Sequence, residues 1–122
     1  MRIYIASADK ASRLSLLMLV ESEPGLVVVG MSDRAESLLT VVRALHPEVL
    51  VLDYELAKQA VADLVSDLHH LEHPPKIIVL SVDPQVKATA LAAGADAFIS
   101  KNVPPDNLLS MLREMRQSET TV

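Results

Sequence analysis

The 122-residue chain contains no cysteine and only three glycines. Without cysteine, neither a disulfide nor a thiolate metal site can form, which fits a reducing compartment. Three glycines leave no glycine-rich phosphate loop, so nucleotide binding is not expected. No apolar run approaches the roughly 18 residues of a membrane span. The opening Met1-Arg2-Ile3-Tyr4-Ile5-Ala6 falls short of the apolar stretch of about 7–15 residues that a signal peptide needs. There is no surplus of positive charge either. The formal net charge is −5, which argues against direct nucleic-acid binding by this segment. A soluble, cytoplasmic protein without membrane contact is expected.

The chain does have a core: 50% of its residues are hydrophobic, and its length suits one domain. That domain is expected over residues 1–116. The polar residues 117–122 read as a tail or the start of a linker.

Two kinds of apolar block alternate. Short, β-branched blocks read as strands at Ile3–Ala6, Leu26–Val29, Val49–Leu52, Ile77–Leu80 and Ala97–Ile99. The third and fourth are continuously apolar, as strands covered on both faces of a parallel sheet are. Longer blocks with helical periodicity lie between them. The first helix is expected over Lys10–Glu21. The second follows Asp33, a good N-cap with Glu36 three residues on. The third spans about Val61–Leu71 and the fourth Gln85–Ala93, stopped by Gly94. The fifth starts near Pro105-Asp106. Five βα units with right-handed crossovers predict an α/β, flavodoxin-like (βα)5 fold of three layers, with parallel strand order 2-1-3-4-5. Ligands in such sheets bind beyond the carboxyl ends of strands 1 and 3.

Those ends carry Ser7-Ala8-Asp9 on strand 1, Asp53 on strand 3, Ser81 on strand 4 and Ser100-Lys101 on strand 5. A carboxylate, a hydroxyl and an ammonium on one rim suit phosphoryl chemistry. The carboxylate attacks, and the other two bind the phosphoryl oxygens. Polar residues at wet loop starts are the plainer explanation for any one of them.

Val51-Leu52-Asp53, Ile78-Val79-Leu80-Ser81 and Ala95-Asp96-Ala97-Phe98-Ile99-Ser100-Lys101 resemble the motif strands of bacterial response-regulator receiver domains, along essentially the whole chain. The stretches from Glu21 to Gly30 and from Lys101 to Leu108 resemble the subgroup with a C-terminal helix-turn-helix output domain. The resemblance implies that Asp53 accepts a phosphoryl group from a histidine kinase, a phosphotransfer protein or a small phosphodonor. Ser81 and Lys101 would bind that group, and Phe98 would be the switch aromatic. It implies no enzyme beyond self-phosphorylation and autodephosphorylation. It also implies a possible homodimer through helix 4, strand 5 and helix 5, a face read as including Lys87, Asp96, Asn107, Arg113 and Arg116.

The resemblance breaks at strand 1. The acidic pair that holds Mg²⁺ in the family falls here on Ser7 and Ala8. Mg²⁺ relies on one or two carboxylates, so binding at Asp53 is expected to be weak. Asp9 or Glu55 could substitute, although Asp9 also reads as the cap of helix 1 and Glu55 as a solvated loop residue. Leu56–Ala60 could prolong helix 3, and Val82 could narrow access to Asp53. Two readings stand side by side: a phosphoryl-accepting receiver with a degenerate Mg²⁺ site, and a pseudo-receiver that works through protein contacts without phosphorylation. A haloacid-dehalogenase-like phosphatase is a remote third, because its nucleophile usually lies on the first strand. His69, His70 and His73 form a cluster in which His69 and His73 could share a helical face and a metal. Imidazoles at a helix C-terminus are the simpler account.

Overall fold

The computed structural model describes the backbone of residues 1–120, with all side chains except those of Gln59 and residues 118–120. Five strands, β1 (Arg2–Ala6), β2 (Val27–Ser32), β3 (Val49–Asp53), β4 (Lys76–Ser81) and β5 (Ala97–Ser100), alternate with five helices. These are α1 (Lys10–Glu21), α2 (Leu38–Leu45), α3 (Val61–His69), α4 (Val86–Ala93) and α5 (Asp106–Thr120). All four strand pairings are parallel, and the sheet order is β2-β1-β3-β4-β5. This is the expected flavodoxin-like order.

The central strand explains the rest. Every residue of β3 is buried, because alternate side chains point to opposite faces and both faces are covered by helices. Val49 and Val51 enter one core with Leu108 and Leu112 of α5 and Val20 of α1. Leu50 and Leu52 enter the other, with Leu38 and Val42 of α2, Val65 and Leu68 of α3, and Ala90 of α4.

Four boundaries differ from the sequence expectation. Strand β2 runs on through Gly30 to Ser32, past the expected end at Val29. Its register against β1 shifts between Ile3 and Tyr4, which sets the Tyr4 ring over Gly30. A Cβ at Gly30 would lie 2.7 Å from Tyr4 Cε2, so the missing side chain is what makes room for the ring. The second helix therefore starts late, at Leu38, with Ser37 in the cap position and no side-chain cap bond. The expected Asp33/Glu36 capping box does not form, because the longer β2 leaves residues 33–37 to make the turn.

The segment after Asp53 does not prolong α3. It forms two separate 3-10 turns, Tyr54–Leu56 and Lys58–Ala60, with Lys58 at φ 48°. That left-handed residue interrupts the helical hydrogen-bond series. At the other end, α5 continues through Gln117 to Thr120, so the polar segment begins as helix, and residues 121–122 lie outside the described residues. Gly94 caps α4 as expected, at φ 120°, and Ala95 N–H bonds back to Ala90 O at 3.0 Å.

Candidate functional site

Among the described residues, the buried polar or charged side chains are Ser7, Asp53 and Ser81. All three lie at carboxyl ends of neighbouring strands. Parallel pairing sets this up: Ala6 stands beside Leu52, Asp53 beside Leu80, and Ser81 beside Ser100.

Asp53 is 1% exposed, and both carboxylate oxygens are engaged. Oδ1 accepts the Glu55 backbone N–H at 3.1 Å, which caps the first 3-10 turn. Oδ2 accepts the Ser7 hydroxyl at 3.2 Å and the Lys101 ammonium. Lys101 is itself 25% exposed. The sequence thus brings Asp53 and Lys101 together as expected, and it adds Ser7 to them. A buried carboxylate needs such partners, since an unpaired charge in a dry interior is strongly disfavoured.

Ser81 lies at the same rim; its oxygen accepts the Asp83 N–H at 3.0 Å, which leaves its hydroxyl hydrogen able to donate. Phe98 is half-buried and packs against the α2–α3–α4 core. Val82 is 53% exposed, and its carbonyl accepts Asn102 Nδ2 at 3.3 Å.

Sequence reasoning saw Ser7 only as a missing acid. The residue is a hydrogen-bond donor to the carboxylate it flanks. Arg13 was missed altogether. Its guanidinium reaches the carbonyls of Ser7 at 2.8 Å and Ala8 at 3.3 Å. A side chain bonding to carbonyls of the preceding loop leaves no periodic signal, so only the folded loop reveals it.

The donor set does not fit Mg²⁺. An octahedral cation needs carboxylate oxygens free to turn toward it. Here the one carboxylate of the rim is already taken by an ammonium, a hydroxyl and an amide. Asp9 accepts the Ser12 N–H at 2.9 Å and its hydroxyl at 2.8 Å. Those two bonds, with the charges of Lys101 and Arg13, hold its carboxyl below the usual range. Glu55 is exposed. Among the described residues no group of three His, Cys, Asp or Glu could hold a metal.

The histidine pair does not form either. Helix α3 ends at His69, so His69 and His73 share no helical face. His69 lies edge-on to His70, and His73 edge-on to His46. His70 Nδ1 donates to Ser66 O at 2.7 Å, which closes the end of α3.

The expected partner face also changes. Arg113 pairs with Glu23, through Nε at 2.9 Å. Arg116 donates to Pro24 O at 2.9 Å. Asp96 accepts the Ile77 N–H at 2.8 Å. All three hold the fold together, because the helix face that carries both arginines turns toward the α1–β2 loop. Lys87 and Asn107 remain exposed.

Comparison with known proteins agrees with this architecture. Residues 3–113 match the family described as the response regulator receiver domain. The nitrate/nitrite response regulator protein NarL of Escherichia coli K12 is 26% identical over 109 residues, which cover 88% of this chain and 50% of that protein. A protein-glutamate methylesterase/protein-glutamine glutaminase of Halalkalibacterium halodurans is 32% identical over 123 residues, covering 93% of this chain and 35% of that protein. The chain thus spans at most about half the length of these relatives. Among solved structures, the signal receiver domain of the putative response regulator NarL from Mycobacterium tuberculosis superposes with a TM-score of 0.83 at 21% identity, over 93% of each chain. No described helix is long and apolar enough to cross a membrane. With the fold, the strand-end residues and the family match in agreement, the chain belongs to the response regulator receiver domain family of two-component systems.

Proposed function

We propose that this chain is a receiver module that signals through protein contacts, with Asp53 held in a metal-independent pair with Lys101. One observation carries the reading. The carboxylate is 1% exposed and accepts both Ser7 and Lys101, in a rim whose expected metal ligands are a hydroxyl and a methyl group. Phosphoryl transfer builds negative charge on oxygens that a cation normally neutralises. Here, among the described residues, the ammonium of Lys101 is the one cation in contact with Asp53. Mg²⁺ binding is correspondingly weak. The partner face is α4, β5 and α5, where Lys87 and Asn107 are exposed. It serves a kinase, a phosphotransfer protein, an output domain or a second copy.

The second reading is slow phosphorylation of Asp53. It is favoured by the presence of Asp53, Ser81 and Lys101 on adjoining strand ends. Intact-mass measurement after incubation with acetyl phosphate and Mg²⁺ separates the two. The wild-type chain is expected to show no adduct. Ser7→Asp combined with Ala8→Asp restores the acidic pair and is expected to gain one phosphoryl group, lost again when Asp53→Asn is added. An adduct on the wild type that disappears in Asp53→Asn would overturn the first reading in favour of the second.

A further inference from the structure

A groove of about 490 Å³ runs between α1 and the β5–α5 connection. Its walls are apolar: Leu16 and Leu19 from α1, Leu80 and Ile99 from the sheet, Val103 and Leu108 from the connection and α5. Pro104 and Pro105 complete one side. Two consecutive prolines fix their own φ angles and restrict the residue before them, so that wall is stiff. The volume lies in the range of small-molecule sites, which are mostly apolar with a few convergent polar groups.

Among its polar lining groups, Ser12 and Ser15 come from α1, and Ser100 and Lys101 from the end of β5. Among the described residues, Lys101 is the only charged side chain lining the groove. Its ammonium has three donors and gives one to Asp53. Beside it, the Ser100 oxygen accepts the Asn102 N–H at 3.1 Å, which leaves the hydroxyl hydrogen able to donate. An ammonium with donors left over, a hydroxyl and a stiff apolar trough match a molecule with an anionic head and an apolar body.

We infer that this groove binds an amphipathic monoanion, an alkyl or aryl carboxylate. Its head meets Lys101 and Ser100, and its body lies on Leu16, Leu19 and Ile99. A cationic head would meet the ammonium directly. A neutral hydroxyl head accepts with one oxygen where a carboxylate offers two charged ones, so it matches these donors less fully. The asymmetry selects the carboxylate, and the site shares Lys101 with Asp53.

Calorimetric titration of the full chain with octanoate, 1-octanol and octylammonium tests this. Octanoate is expected to bind saturably at one site, roughly tenfold or more tighter than either of the others, as a charge-assisted hydrogen bond allows. Ser15 is exposed and lines the groove, so Ser15→Trp fills it from outside and is expected to weaken octanoate by at least about tenfold with an unchanged circular dichroism spectrum. In the doubly neutral variant Asp53→Asn with Lys101→Gln, octanoate and octanol should bind alike. Equal binding of octanol and octanoate to the wild type, no saturable binding, or unchanged octanoate binding in Ser15→Trp overturns the inference. So does a groove closed by a second copy. That outcome would appear as a dimer in light scattering that Met18→Glu dissociates, since Met18 is 74% exposed on α1, together with no octanoate binding until dissociation.

Discussion

The two ends of the sheet handle their polar side chains differently. At the amino end, charged side chains complete backbone hydrogen bonding. The Arg2 guanidinium donates to the carbonyls of Leu45 and His46, Glu48 accepts the Arg2 N–H at 3.0 Å, and Asp96 accepts the Ile77 N–H. These groups are largely exposed and tie loops to strands. At the carboxyl end, side chains converge on another side chain. Ser7 and Lys101 meet on one oxygen of a carboxylate buried to 1% exposure. The first pattern is what any α/β sheet needs to finish its strand ends. The second concentrates charge in a dry place, which fold completion does not require.

That contrast gives the largest expected effect to Lys101→Met. It leaves the Asp53 carboxylate buried without its cation, and breaking a buried pair by removing one partner costs about 3–5 kcal/mol. Urea unfolding should show a markedly lower midpoint. Replacing both partners, Asp53→Leu with Lys101→Met, should recover most of that loss, because an apolar pair of similar volume avoids desolvation. If the single and double variants are equally destabilised, the cost lies in packing and the two ends differ less than proposed. At the amino end, Asp96→Ala deprives the buried Ile77 N–H of its acceptor and should cost only about 1–2 kcal/mol. A cost equal to that of Lys101→Met, measured in the same urea series, would erase the contrast.

How far the sequence announced these ends depends on the kind of signal each residue leaves. Val49–Leu52 and Ile77–Leu80 were legible because two-sided burial writes a continuous apolar run. Asp53 was legible as the first polar residue after such a run, and Lys101 as the second after Ala97–Ile99. The Ser81 position was legible, but the bond that its oxygen accepts from the Asp83 N–H was not, since that bond belongs to the loop. Strand β2 was read to Val29 from its apolar run alone, and the Tyr4 ring that Gly30 makes room for shows in the fold. Arg113 and Arg116 were read only as charges of a partner face, without their bonds to Glu23 and Pro24. Helical spacing says that they share a side, and only the packed helix says which side faces Glu23 and Pro24.

The smallest expected effect lies at the edge of the rim. The Ser12 backbone N–H, then its hydroxyl, then the Lys101 and Arg13 charges hold the Asp9 carboxyl below its ordinary value of 3.8. A folded value below the unfolded one stabilises the fold above pH 3.8, and that contribution fades as pH falls through the lower folded value. Asp9→Asn keeps a capping side chain but removes the charge. The stability difference between wild type and Asp9→Asn should therefore be constant near neutrality and shrink below pH 3.8, followed by circular dichroism. A difference that ignores pH would mean that the cap acts by geometry alone.

The hydroxyl at Ser7 has a consequence for how the chain reaches its native state. Three carboxylates clustered at one rim repel each other until a cation arrives, a local conflict that the rest of the fold must overcome. With serine and alanine at positions 7 and 8, Asp53 meets only donors. The rim is free of that frustration, and its order need not wait on an ion.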